Sequence, residues 1–474
     1  MATAPSDAAG ADPPPATAEP ATGPGRQASY ARGARVLSIG IASTGVFTFL
    51  YLAVASHNLG KAAYARISLC WAIMYVILSV IYRPIEQLLS RTIADRRARG
   101  LHGHPLRIPA TIQLSFAALS LLVALVLRHQ IEQGMFDGSR ALYWILVVGV
   151  LAYAASYFAR GWLAGHQRFG LYGGLVFLES FSRFLFALAV AVGIASGQGA
   201  VGLGMAVAPF ASLTVIPFAF SRIRRQTVEA SPLARPAVAA ADAAGEGPAH
   251  AQLESAAGDL TVRHGTGFAA SVVGIMLAEQ TLMNAGVLII AATSGGSIVS
   301  GLTGFVFNVL LIVRAPLQLF QAIQTAILPH LAGLEARESR ADFHRSIRIT
   351  VMAIAAFAGA VALGLLAVGP PVMSAVLGSH GFSYGRWGLA LVGLGMGFHL
   401  VSATLNQAAL ARGRAALASG AWLTAAALFV AFVAAPTIAS QVTRVEVGYS
   451  AATLLLCALL WGIYRLGSHE VPVR

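Results

Sequence analysis

The chain has 474 residues, 57% of them hydrophobic and only 11% charged, with a mean hydropathy of +0.71. A soluble protein of this length carries about a quarter charged residues, so an apolar surplus spread over the whole chain has to face lipid, and a soluble multidomain enzyme is excluded. The net charge of +13 comes from 31 Arg and one Lys (Lys61) against 19 acids; these bases sit between apolar stretches, which ties them to orientation in a membrane and not to nucleic acid.

Residues 1–29 are mostly Ala, Pro, Gly and Thr and lack a basic start followed by an apolar core. They read as a disordered cytoplasmic tail, not a signal peptide. Apolar runs long enough to cross a bilayer follow near 36–56, 62–82, 108–127, 141–159, 171–195 and 201–220. They resume near 267–292, 298–327, 349–368, 387–411, 415–436 and 447–464. The expected fold is therefore an all-α polytopic membrane protein of about twelve transmembrane helices. Its expected units are an N-terminal six-helix bundle at 30–222, a cytoplasmic linker at 223–264, a C-terminal six-helix bundle at 265–466 and a tail at 467–474. The linker opens on Ser-Arg-Ile-Arg-Arg and turns to Ala, Pro and Gly with scattered acids, a flexible composition.

With the N-terminus inside, 24 of the 32 bases fall in inside segments and six lie outside or at outer span ends. That bias predicts a multi-pass protein of the cytoplasmic membrane with both termini cytoplasmic. The inside set includes Arg83, at the end of span two, and Arg160, just after span four.

The halves resemble each other. Arg83-Pro84 near the end of span two matches Arg314-Ala315-Pro316 in span eight at an offset of 232 for the prolines. Gly165-His166-Gln167-Arg168 after span four matches Ala411-Arg412-Gly413-Arg414 after span ten at an offset of 246. Both points predict an internal duplication, with two like-oriented bundles related by an axis along the membrane normal.

These features resemble the polysaccharide flippase branch of the superfamily that also contains multidrug and toxin extrusion transporters. The resemblance spans roughly residues 30–465. It rests on six plus six spans, on Arg83-Pro84-Ile85-Glu86-Gln87, on Arg314-Ala315-Pro316 with the Gln-rich stretch after it, and on the Ala159-Arg160-Gly161 and Ala411-Arg412-Gly413 turns. It implies two six-helix bundles around a central cavity open alternately to each side. The cargo it implies is a polyprenyl-diphosphate-linked oligosaccharide, with membrane lipid and a membrane glycosyltransferase or polymerase as partners. It implies no cofactor, no metal, no nucleic acid and no covalent chemistry.

Charges inside spans are costly and mostly functional. Glu179 and Arg183 lie four apart on span five, either paired with each other or both facing a cavity, where Arg183 meets a phosphate. On span eight, Arg314, Gln318 and Gln321 recur on one face beside Asn308 and Gln324. An arginine fork with amide side chains suits a diphosphate and sugar hydroxyls; the bland alternative has Arg314 snorkelling to headgroups. Glu279 on span seven is the candidate for cation or proton coupling, with Glu179 the second acid; Glu279 lacks a base at helical spacing and has Arg314 on the next helix as a possible partner. Asn284, Asn406, Arg66 and Arg35 complete the candidate substrate contacts. His399, Ser402 and Asn406 share one face of span ten, and His399 reads first as a packing residue. Cys70 and Cys457 lie in apolar runs and form no metal or disulfide pattern.

A lipid-linked oligosaccharide flippase is the leading expectation. A multidrug exporter of the same superfamily is the alternative, weakened by the absence of acids in span one. A major-facilitator-type transporter shares the topology, but Arg91 and Ala98 stand where its loop signature needs Gly. A membrane glycosyltransferase lacks the large acid-bearing outer loop it needs.

Overall fold

A computed structural model of the chain describes residues 24–98, 106–217, 247–293, 301–317, 320, 340–378 and 381–466. Among these residues the secondary structure is helical, with no strand. The N-terminal half comprises α1 (Pro24–Asn58), α2 (Lys61–Ile77), a π segment (Leu78–Tyr82), α3 (Arg83–Ala98), α4 (Arg107–Val126), α5 (Arg140–Gly165), α6 (Phe169–Ala191) and α7 (Gly197–Leu213). The C-terminal half comprises α8 (Gly247–Thr293), α9 (Leu302–Leu317), α10 (Arg340–Leu377), α11 (Arg386–Ala411), α12 (Ala415–Ala434) and α13 (Gln441–Leu466). Eleven described helices are long and apolar enough to cross a membrane, and the shorter apolar α9 occupies the eighth place. The polytopic all-helical architecture read from the sequence is the one observed. α8 begins inside the stretch read as linker, and 218–246 lies outside the described residues.

Two span ends differ from the sequence reading. Span two does not stop at Tyr82: the candidate membrane helix runs from Lys61 to Ser90. Pro84 would remove a hydrogen bond and clash with the preceding turn of an ideal helix. The π segment at Leu78–Tyr82 widens that turn directly before it, so the chain continues as helix and Arg83 lies within it. Span four likewise runs on through Arg160 to Gly165, entered at an N-cap where the Ser139 side chain accepts from the Leu142 N–H. Arg83 and Arg160 are therefore helix residues and not loop bases.

The duplication is visible in backbone detail. α5 and α11 end in the same cap: the N–H groups of Arg168 and Arg414 bond to the carbonyls of Leu163 and Ala409, each at 2.9 Å. Gln167 and Gly413 adopt left-handed φ of 55° and 70° at the matched position. This cap satisfies the last helical carbonyls and turns the chain. Helix pairings repeat as well: α1 with α6, α6 with α7, α5 with α7 and α4 with α5 recur as α8 with α12, α12 with α13, α11 with α13 and α10 with α11. The α1–α6 crossing is close enough that a Cβ on Gly40 would lie 2.7 Å from the Gly173 backbone, and one on Gly274 would lie 2.4 Å from Ser419 Oγ at the α8–α12 crossing. Small residues at matched places let both pairs approach this closely. α4 and α10, the third and ninth spans, bury the smallest share of their length, so they form the outer flank of each half.

Candidate functional site

A partly open cavity lies where the two halves meet. α1 contributes Gly45, Thr48, Phe49 and Leu52, and α2 contributes Trp71 and Tyr75. The facing wall carries Glu279, Gln280, Met283 and Asn284 from α8, with Leu311, Arg314, Ala315 and Leu317 from α9. The two walls differ in kind: the first is aromatic and aliphatic with one hydroxyl beyond Tyr75, and the second holds both charges.

Arg314 lines this cavity and does not reach out toward a headgroup layer. Its Nη2 donates to the Met283 carbonyl at 2.8 Å and to Asn284 Oδ1 at 2.7 Å, and its guanidinium lies 4.4 Å from the Phe307 ring centre. Asn284 is held in turn by its own Nδ2, which donates to the Gln280 carbonyl and to Gln280 Oε1 at 3.0 and 3.1 Å. Arg314 has no carboxylate partner among the described residues, and its Nε is buried without a hydrogen bond. A guanidinium anchored through Nη2 by neutral groups keeps its full charge in the cavity, where an anion can meet it. Asn284, expected to touch substrate, spends its amide on placing Arg314.

Glu279 shares the cavity but forms no ion pair with Arg314. The base whose charge acts on it is Arg83 of α3, across the boundary between the halves. Arg83 is thus a site neighbour that the sequence reading had placed at the inside end of span two.

Glu179 and Arg183 do not line the cavity; they lie inside the N-terminal half, with Arg183 directly behind the Trp71 wall. Glu179 accepts from Arg160 Nη2, from Arg183 Nη2 at 3.2 Å and from Ser156 Oγ at 3.3 Å. Arg183 also donates to the Tyr153 hydroxyl at 2.7 Å and stacks 4.7 Å from the Trp71 ring centre. Arg160 stacks on Tyr157, and Glu86 accepts from the Tyr172 hydroxyl at 2.6 Å. Arg183 is only 2% exposed, so the pairing read from its i, i+4 spacing is the arrangement seen. Arg160 and Glu86 escaped the sequence reading because each lies where an apolar window had already ended.

The remaining candidates are elsewhere. Arg66 is at the other end of α2, donating to Asp137 Oδ2 at 2.9 Å and to Gln198 Oε1 at 2.8 Å. Asn406 is buried in the C-terminal half, where its Oδ1 accepts from Trp422 Nε1 at 3.2 Å, beside His399, whose Nδ1 meets the Tyr449 hydroxyl at 2.9 Å. Gln318 and Gln321 lie outside the described residues, as does the side chain of Arg35. The structure therefore brings Arg314, Asn284 and Glu279 together, and keeps Arg66, Arg183, Glu179 and Asn406 away from them.

At the end of the cavity that carries the α1–α2 turn and the C-terminus of α10, the halves are bonded to each other. The Tyr64 hydroxyl donates to Asn308 Oδ1 at 2.5 Å, and Asn308 Nδ2 reaches the Leu377 carbonyl at 3.3 Å and the Tyr384 hydroxyl at 3.4 Å. Ser56 Oγ donates to the same Leu377 carbonyl. Burial pushes the Tyr384 hydroxyl up to about 12, so it stays protonated and donates to the Gly378 carbonyl at 2.8 Å. Asn308, read as part of a cavity stripe, is the hub of this closure.

No protein-family profile matches the chain, and no curated protein matches it by sequence. Solved structures do resemble it. The Vibrio cholerae MATE transporter VcmN aligns over 93% of this chain and 97% of its own, with 13% identity and a TM-score of 0.56. The eukaryotic MATE transporter AtDTX14 covers 93% of this chain and 96% of its own, with 10% identity and a TM-score of 0.59. An inward-facing multidrug resistance MATE family transporter of the MOP superfamily covers 92% and 94%, with 12% identity and a TM-score of 0.55. At such identities the likeness is one of fold, and the fold is that of MATE transporters.

Proposed function

We propose that the chain is an alternating-access transporter that turns a polyprenyl-diphosphate-linked oligosaccharide across the cytoplasmic membrane for surface polysaccharide biosynthesis. Two duplicated bundles around a cavity support alternating access, because rocking of one against the other exposes the same site to each side. The fold it shares with transporters points the same way. The observation that carries the cargo is Arg314: a guanidinium in the cavity between the halves, held in place by neutral groups and lacking a carboxylate partner among the described residues. The charge of Arg83 acts on Glu279 from α3, outside the cavity lining, and leaves the Arg314 guanidinium as the positive charge open to a ligand. That sign attracts a diphosphate, while the apolar wall at Phe49, Leu52 and Trp71 suits the start of a lipid tail. The test is flipping of a fluorescent polyprenyl-diphosphate oligosaccharide in vesicles containing the purified protein. Protein-dependent flipping that disappears in Arg314→Ala supports the proposal, and the same rate with and without protein ends it.

A second reading, multidrug export, is favoured by the likeness to a multidrug resistance MATE family transporter and by the placing of Glu279 in one cavity with stacked Trp71 and Tyr75 rings, 5.1 Å between centres. Carboxylate plus aromatic faces is a cation site. Proton-driven ethidium efflux from the same vesicles, lost in Glu279→Gln and retained in Arg314→Ala, selects it over the flippase.

A further inference from the structure

At the end of the C-terminal half opposite the bonded one, three elements bring bases to a single ring. The Tyr464 hydroxyl, in the last turn of α13, is hydrogen-bonded to His344 Nδ1 of α10, and the two rings lie 5.4 Å apart. Arg412, from the turn between α11 and α12, stacks on the same tyrosine, 5.2 Å from its ring centre. Arg412 and Arg414 donate through Nη1 to the carbonyls of Tyr464 and Ile463, at 3.4 and 3.2 Å. Those carbonyls belong to the last turn of α13, where a helix leaves them without an internal partner. Both guanidiniums are therefore positioned by neutral backbone and keep their charge.

Two helix faces beside this cluster pass from charge to apolar surface. On α10, Arg345, Arg348, Ile349 and Met352 recur at i, i+3, i+4 and i+7, share one face and are all exposed. Arg345 and Arg348 form no ion pair among the described residues. On α13, exposed Trp461 and Arg465 repeat the order four residues apart, with the guanidinium 5.5 Å from the indole centre. In both helices the bases stand at the end and the apolar side chains lie deeper. Separate arginines snorkelling to headgroups would explain bases at helix ends, but not their gathering on one tyrosine and one set of terminal carbonyls. We infer that this end of the C-terminal half binds an anionic phospholipid of the adjoining leaflet. Its acidic headgroup lies among Arg345, Arg348 and Arg412, and its acyl chains follow Ile349, Met352 and Trp461. A zwitterionic lipid carries its own ammonium and leaves these bases unneutralised, so the surface selects acidic lipid. The site stands whatever the central cavity carries.

The test is native mass spectrometry of the purified full-length protein in detergent, titrated with phosphatidylglycerol or with phosphatidylcholine of the same acyl chains. At about fivefold for each of the two exposed arginines, phosphatidylglycerol should bind about 25-fold tighter or more. Arg345→Gln combined with Arg348→Gln should remove most of that preference and leave phosphatidylcholine binding unchanged. Lys61→Gln combined with Arg386→Gln removes two exposed bases at the opposite end and should change neither affinity. All four side chains are exposed, so the unfolding temperature without added lipid should match wild type in both pairs. An equal loss of preference in the two pairs overturns the site in favour of diffuse attraction by the net charge of +13. Displacement of the lipid by millimolar inorganic phosphate overturns the lipid as occupant. Equal binding of the two lipids by wild type also overturns it, and leaves the surface to an acidic protein partner.

Discussion

The 246-residue offset that matches the caps of α5 and α11 also carries Tyr153, Ser156 and Arg160 onto His399, Ser402 and Asn406. It carries Glu179 and Arg183 onto Ala425 and Phe429. The same positions of one duplicated frame are thus charged in the N-terminal half and neutral in the C-terminal half. In the first, Arg160 and Arg183 both pair with Glu179, joined by Tyr153 and Ser156, although Arg160 Nε and Arg183 Nε and Nη1 stay buried without a hydrogen bond. In the second, His399, Trp422, Asn406 and Tyr449 make a neutral aromatic and amide cluster. At the cavity the asymmetry reverses. The C-terminal half supplies Arg314 and Glu279, and the N-terminal half lines its wall with neutral side chains. The lesson is that charge count alone does not locate function in a membrane interior. The half with more buried charges has closed them on one another, and the half with fewer holds the ones left for a ligand.

The largest test of that contrast is Arg314→Ala. Two charge-assisted hydrogen bonds to a phosphate contribute about 1.5–3 kcal/mol each, so transport is expected to fall by about 100-fold or more. Arg314→Lys should recover only part, because an ammonium cannot reproduce the planar fork. Thermal unfolding in detergent should barely move, since no carboxylate loses its partner. A normal transport rate in Arg314→Ala breaks the division of labour between the halves.

Glu179→Gln should do the opposite. It leaves Arg160 and Arg183 buried without a carboxylate, and breaking such a network costs about 3–5 kcal/mol. Unfolding temperature and membrane yield should drop sharply, whereas Glu279→Gln should leave both unchanged. Importing the C-terminal solution sharpens the point. Arg160→Asn combined with Glu179→Ala and Arg183→Phe removes all three charges at once, and is expected to be more stable than Glu179→Gln alone, because buried ion networks are non-additive. Equal unfolding temperatures for Glu179→Gln and Glu279→Gln would contradict the comparison.

A smaller effect is expected where the halves touch. Tyr64→Phe deletes the hydrogen bond to Asn308, worth about 1 kcal/mol, or about fivefold in an equilibrium. The end of the cavity closed by Ser56, Tyr64 and Asn308 should open more often. Maleimide labelling of Ser56→Cys, in a background lacking Cys70 and Cys457, should accelerate by that factor. Unchanged labelling removes this contact as a latch.

Much of this was legible in the sequence. Apolar runs of membrane length leave polar side chains only the interior to face, so Arg314, Asn284 and Glu279 could be singled out before their helices were placed. The duplication was legible because a helix cap constrains residue types: Gln167 and Gly413 stand where the chain turns left-handed. The partners of each charge were less so. Glu179 and Arg183 are four residues apart and meet by helix periodicity, but Arg160 reaches Glu179 from the neighbouring helix and was counted as a loop base. An apolar window ends at its first charge while the helix does not, which also misplaced Arg83. Arg314 was offered as the partner of Glu279, and the charge that acts on Glu279 is Arg83. That choice depends on how two helices rotate against each other, which no spacing along one chain reports.

Arg66→Ala sets the lower bound of the comparison. Arg66 was a candidate substrate contact, yet it is bound at the far end of α2 to Asp137 and Gln198 within its own half. The Asp137 side chain is 59% exposed, so this pair is screened by solvent and contributes about 0–1 kcal/mol. The expected result is transport within about twofold of wild type and an unfolding temperature nearly unchanged. If Arg66→Ala instead stops transport as Arg314→Ala does, basic side chains outside the cavity handle the substrate on its way through. The division between self-paired and free charge would then have to extend to the mouth of the molecule.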